Sequence, residues 1–121
     1  MNPIRKLVGG VAVVGSLSMF GPVAQAAPPA SFAACAACHS SDGTNGLGPT
    51  LKGVYGRKAG SVGGFAYSRA MRNAGTTWDD KSLDAFIADP QKAVSGNKMP
   101  FAGLPDAKQR AEVIEYLKSA S

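Results

Sequence analysis

Residues 35–39 read Cys-Ala-Ala-Cys-His, and they hold every cysteine and histidine of the chain. Two thiols in a C-x-x-C register followed at once by an imidazole is the spacing through which a c-type haem is attached. Each thiol can form a thioether to one vinyl group of the porphyrin. The adjacent histidine then faces the iron from the proximal side. A redox dithiol uses the same cysteine spacing but has no need of the histidine and normally sits in a βαβ setting. A plain disulfide is the remaining alternative, and it too leaves His39 unexplained.

The segment ahead of this motif reads as an address. Arg5 and Lys6 form a positive start, Leu7 to Phe20 carries no charge, and Gly21-Pro22 breaks the run. Ala24-Gln25-Ala26 supplies the small residues a signal peptidase accepts. An apolar run of about 14 residues is short for a span that needs roughly 20. Residues 1–26 are therefore expected to be a cleaved signal peptide, with residues 27–121 as the mature domain. An uncleaved anchor is the alternative. Export suits the motif, because thiol chemistry of this kind belongs outside the cytosol. A Sec-type signal on so small a chain points to a bacterial periplasm.

Cleavage leaves one small domain, which buries a modest core and gains from a covalent staple. Of the 13 basic side chains Arg5 and Lys6 leave with the leader, so 11 face 8 acidic ones, a formal +3. The chain has no Lys/Arg block interleaved with aromatics, which argues against nucleic-acid binding.

The pattern of the mature chain is helical with no convincing strand. Ser31 to Ala37 can form a short helix carrying the cysteines. Eight glycines between Ser41 and Gly64 mark a long irregular loop, and loops of that length usually wrap something or serve a function. Ser68 to Ala74 suggests a helix stopped by Gly75. Asp79 is placed to cap a helix over Asp80 to Asp89, with Leu83, Phe86 and Ile87 on one face and Pro90 ending or kinking it. Asp106 caps the last helix, Gln109 is its expected capping-box partner, and Val113, Ile114 and Leu117 form the buried stripe.

A haem iron held by His39 has a sixth position to fill, and methionine sulfur is the usual partner in cytochromes c. Met1 and Met19 leave with the leader. Met71 lies on a short helix, where filling the core is the ordinary use of methionine. Met99 lies in the loop Gly96-Asn97-Lys98-Met99-Pro100-Phe101-Ala102-Gly103, and burial against iron explains an apolar side chain there. Met99 is the candidate distal ligand.

From Phe32 onward the chain resembles the class I cytochromes c, of the bacterial soluble monohaem type related to mitochondrial cytochrome c and cytochromes c2. The resemblance rests on an ordered set. Cys35 to His39 is followed by Gly-Leu-Gly-Pro at Gly46 to Pro49, Gly-Arg-Lys at Gly56 to Lys58, Phe-Ala-Tyr-Ser at Phe65 to Ser68, and Trp78. Lys-Met-Pro-Phe-Ala-Gly at Lys98 to Gly103 and Glu-Tyr-Leu-Lys at Glu115 to Lys118 complete it. It implies the all-α cytochrome c fold, short helices and glycine-rich loops around one covalent haem c.

By the same resemblance, the Pro49 carbonyl would accept the Nδ1–H of His39, fixing its tautomer. Tyr67 and Trp78 would hydrogen-bond a haem propionate, Arg57 would compensate that buried charge, and Phe101 would pack by the haem edge. Three departures stand out. Phe86 and Met71 occupy places where the family often has tyrosine and asparagine, which should leave a drier pocket. Only eight residues precede Cys35 in the mature chain, so the N-terminal helix should be stunted, with Phe32 as its main anchor.

With His39 and Met99 both on the iron, no site is left for a substrate, and the implied function is outer-sphere electron transfer between redox partners by a soluble periplasmic carrier. Lys52, Lys58, Lys92 and Lys98 are candidates for a basic rim that steers acidic partners, respiratory or photosynthetic complexes, into transient contacts. The chain is expected to be a monomer and not an enzyme. A subunit of a larger redox complex is the alternative, and a haem peroxidase or gas-binding protein a more distant one.

Overall fold

In a computed structural model, residues 9–21 and 26–120 are described. Arg5, Lys6, Ala24 and Gln25 of the expected leader lie outside them. The leader residues that are described form no helix, and Val11, Val13, Val14, Leu17, Met19 and Phe20 are exposed. No described helix is long and apolar enough to cross a membrane.

The described residues form five short α-helices: α1 (Ala33–Ala36), α2 (Arg69–Arg72), α3 (Asp80–Ala88), α4 (Pro90–Ala93) and α5 (Ala107–Ser119), with a 3-10 turn at Ala30–Phe32 leading into α1. No strand forms among them. One antiparallel bridge, between Lys58 and Thr77, stitches the long loop to the start of α3.

Local chemistry sets these boundaries. Asp79 Oδ1 accepts the Ser82 N–H at 2.8 Å while Ser82 Oγ accepts the Asp79 N–H at 2.9 Å, a reciprocal box at the head of α3. Asp106 Oδ1 caps α5 by accepting the Gln109 N–H at 2.9 Å. That bond runs one way, so Asp106 is a simple N-cap rather than half of the expected box. Ser68 Oγ caps α2 through the Met71 N–H. Pro90 ends α3 as expected, but then opens α4 at its first position, with Asp89 capping through the Lys92 N–H. Proline fits there because the first helical N–H has no intrahelical partner.

The core lies where α3 and α5 pack together, with Leu83 and Ile87 from one and Val113, Ile114, Tyr116 and Leu117 from the other. The first helical stretch is short, Ala30–Ala36, and joins the core through Phe32. Its ring meets Tyr116 edge-on, 4.7 Å between centroids at 62°. Such pairing adds to the area the ring buries. Phe32 thereby ties the first helical stretch to α5, and the loops that follow α1 and α4 both line one cleft.

Candidate functional site

That cleft is a cavity of about 440 Å³ with a largely apolar wall. All nine residues singled out in the sequence, Cys35, Cys38, His39, Pro49, Arg57, Tyr67, Trp78, Met99 and Phe101, line it.

The proximal side is built by α1 and the loop after it. His39 N–H donates to the Cys35 carbonyl at 2.9 Å, so the thiols and the imidazole follow one tight turn. Cys35 is partly buried, and desolvation pushes its thiol pKa up. The loop then folds back: Gly48 N–H donates to the Cys38 carbonyl at 2.9 Å, and Leu51 N–H to that of Ser40 at 2.7 Å. Thr50, buried, braces the return by accepting the Gly43 and Lys52 N–H groups on its hydroxyl.

This fold-back brings His39 Nδ1 within 2.7 Å of the Pro49 carbonyl oxygen. A carbonyl can only accept, so Nδ1 carries the proton and Nε2 keeps its lone pair for a metal. Gly48 makes the approach possible. A Cβ there would stand 2.5 Å from His39 Cε1, far inside any real contact.

Another stretch of the wall belongs to the loop after α4, which carries Met99 and Phe101. Phe101 N–H donates to the Met99 carbonyl at 2.9 Å, curling the backbone around the methionine. Leu104 N–H donates to the Ile87 carbonyl at 2.8 Å, and Gly103, at φ +117°, lies so close that a Cβ would overlap the Ala88 carbonyl. Two of the three departures lie at the cavity: Met71 and Phe86 line it, with Phe86 against Trp78 at 5.0 Å between ring centroids.

The floor holds the polar groups. Trp78 and Arg57 are neighbours through the backbone, because Trp78 N–H donates to the Arg57 carbonyl at 2.9 Å. The Arg57 guanidinium donates from its two terminal nitrogens to the carbonyls of Lys52 (2.9 Å) and Thr50 (3.0 Å). Its Nε is buried with no protein partner; among the described residues, Ser31 Oγ is the other such side-chain atom. Burial lowers the Arg57 pKa, as expected for a cation short of a counter-charge. Tyr67 accepts the Val62 N–H on its hydroxyl at 3.2 Å, which leaves the phenolic proton free to donate.

These features fit a flat apolar group with an anionic edge. The wall is largely apolar, two thiols line it, and a cation that also lines it has a buried N–H without an acceptor. Sequence reasoning missed Asn97, which also lines the cavity. Its position two residues before Met99 is the available signal, since an asparagine side chain readily bonds backbone two residues on.

The cytochrome c family model matches residues 29–121. Cytochrome c2 iso-2 of Magnetospirillum fulvum is 53% identical over 94 residues, covering 77% of this chain and 97% of that protein. Cytochrome c2 of Rhodoblastus acidophilus is 49% identical over 88 residues, covering 71% of this chain and 82% of that protein. Among solved structures, cytochrome cH from Methylobacterium extorquens superposes with a TM-score of 0.71 at 49% identity, over 74% of this chain and 91% of that one. Matched along nearly all of its folded part, with two thiols lining a largely apolar cleft, the chain belongs to the cytochrome c family as a class I, c2-like electron carrier with covalent haem c.

Proposed function

We propose that His39 Nε2 and the Met99 thioether hold the iron of a single haem joined through Cys35 and Cys38, and that the mature chain is a periplasmic electron shuttle rather than a haem enzyme. The observation that carries this reading is that two separate loops bring His39 and Met99 to the wall of one cavity. One presents an imidazole whose tautomer is set by Pro49; the other, fastened to α3, presents a thioether. When bound, the haem supplies an Fe(III)/Fe(II) couple that takes up or releases one electron, and a soft neutral sulfur favours the reduced state.

The remaining work falls to the chain. The Pro49 carbonyl holds the His39 ring at a fixed angle and raises its basicity. Leu83, Phe86, Ile87 and Met71 keep water from the distal wall. Arg57 Nε, Tyr67 and Trp78 receive the anionic edge, which would satisfy the one guanidinium nitrogen left without a partner. Phe101 covers the rim.

The charged residues of the cavity wall are Arg57 and Lys98, both cationic. This supports a positive approach to the exposed edge, with the exposed Lys52, Lys58 and Lys92 as further contributors. Partners with acidic rims would meet it in small, short-lived encounters that weaken with salt. Residues 1–26 would direct export and be removed, leaving a monomer.

The test is spectroscopic. Exported wild-type protein in the ferric state is expected to show the weak sulfur-to-iron charge-transfer band, and Met99→Leu to lose it. The reduced protein is expected to resist carbon monoxide. Rapid, tight carbon monoxide binding by the wild type would overturn the shuttle reading in favour of an open-site haem protein.

A further inference from the structure

We propose that the Asn97 carboxamide is a positioning residue for Met99, and that the turn presenting the thioether is assembled by the protein itself rather than by the bond to iron. The proposal rests on Met99 being the distal ligand.

Asn97 is one of two buried polar residues of the described chain, 7% exposed. Its amide nitrogen donates to the carbonyls of Pro90 and Val94, both at 2.9 Å, and its Oδ1 accepts the Met99 N–H at 2.9 Å. The partners fix the orientation: two carbonyls require the nitrogen, and a backbone N–H requires the oxygen. With both N–H groups spent on backbone, Asn97 lines the cavity yet has no donor left to offer into it. Its bonds run sideways, from the body of α4 to the residue that carries the sulfur.

A second carboxamide braces the same turn from outside. Gln91 Nε2 donates to the Asn97 carbonyl at 2.9 Å, and Gln91 Oε1 accepts the Gly96 N–H at 3.1 Å. Gly96 sits at φ +90°, where a side chain is strained, so the chain reverses there just before Asn97. Beyond the turn, Lys98 reaches across to donate to the Ala66 carbonyl at 2.8 Å. The loop is therefore held at the three residues leading into Met99, before any bond to iron is counted. Its far end is separately fastened to α3 by Leu104 and Gly103.

A ligand on a preorganised loop leaves the iron seldom, and an external base competes only through the fraction of time the loop is open. Loss of one or two buried hydrogen bonds should raise that fraction about tenfold or more. In Asn97→Ala, the affinity of the ferric protein for added imidazole is expected to rise about tenfold. The sulfur band should weaken, and the Met99 amide should exchange with solvent faster by NMR. Asn97→Thr keeps a hydroxyl able to accept the Met99 N–H and is expected to recover part of each effect. Asp79→Ala, which removes a helix cap remote from the loop, should lower the melting temperature while leaving imidazole affinity unchanged.

Wild-type imidazole affinity and Met99 amide protection in Asn97→Ala would overturn the proposal. If Asn97→Ala does not mature, Gln91→Ala decides: a severalfold gain in imidazole affinity supports the clamp, and no gain overturns it. A wild-type protein lacking the sulfur band would instead remove the ligand assignment on which the clamp rests, so the two failures are separable.

Discussion

His39 and Pro49 lie ten positions apart in sequence and are joined by a hydrogen bond of 2.7 Å between Nδ1 and the carbonyl oxygen. The loop between them closes on glycine, because a Cβ at Gly48 would drive into the imidazole ring. Gly48→Ala is expected to displace the ring and cost about 1–3 kcal/mol by overpacking. Holoprotein yield and thermal unfolding check this. A variant that matures and melts like the wild type would show that the loop yields without strain.

Arg57 joins two tasks in one side chain. Its terminal nitrogens tie down the carbonyls of Thr50 and Lys52, while Nε is buried without a partner. Arg57→Leu leaves those carbonyls without their donors and is expected to cost about 1–3 kcal/mol. It also removes a positive charge from the cavity wall, which stabilises the more positive ferric state relative to the ferrous one. The reduction potential should therefore fall, as a potentiometric titration would read directly.

Phe32 is the main tie between the abbreviated N-terminal segment and the rest of the core. It is buried and meets Tyr116 edge-on. Phe32→Ala is expected to destabilise the domain by about 3–5 kcal/mol, measured by urea unfolding of the holoprotein. A loss under about 1 kcal/mol would mean that the covalent link at Cys35 and Cys38 already holds this segment in place.

Acid should weaken the start of α3. The Asp79 carboxyl is held below its ordinary value of 3.8 chiefly by the Ser82 backbone N–H. Hydrogen bonds from Lys118 and Tyr55 do the same for Asp80. A carboxyl whose folded value is depressed lends stability that is complete above the ordinary value and is lost as pH falls through the depressed one. Unfolding midpoints followed from about pH 5 to 2 should drop. In Asp79→Asn/Asp80→Asn the drop should be shallower, starting from a lower midpoint at neutral pH.

Much of this molecule was legible in its residues. The attachment motif is local chemistry at fixed spacing, and the Asp79 and Asp106 caps are local too, so each could be read without knowing the fold. The place of Met99 in the cavity wall was legible because an apolar side chain in such a loop demands a partner. α4 was not, since Pro90 reads equally as an end and a beginning, and only the Asp89 cap decides it. Tyr116 was missed as core because its hydroxyl suggests surface; in the fold that hydroxyl reaches Ser41 Oγ at 3.1 Å while the ring stays buried. Asn97 escaped notice because three of its hydrogen bonds go to backbone that only the folded turn brings near.

The short ladder linking residues 56–59 to 76–78 has one more consequence. Arg57 and Trp78 belong to it directly, through Gly56 N–H to the Trp78 carbonyl at 2.7 Å and Trp78 N–H to the Arg57 carbonyl at 2.9 Å. Groups mounted on one stiff frame cannot swing independently when the charge beside them changes. A frame of this kind is expected to keep the reorganisation energy of the surroundings small, whichever way the electron moves.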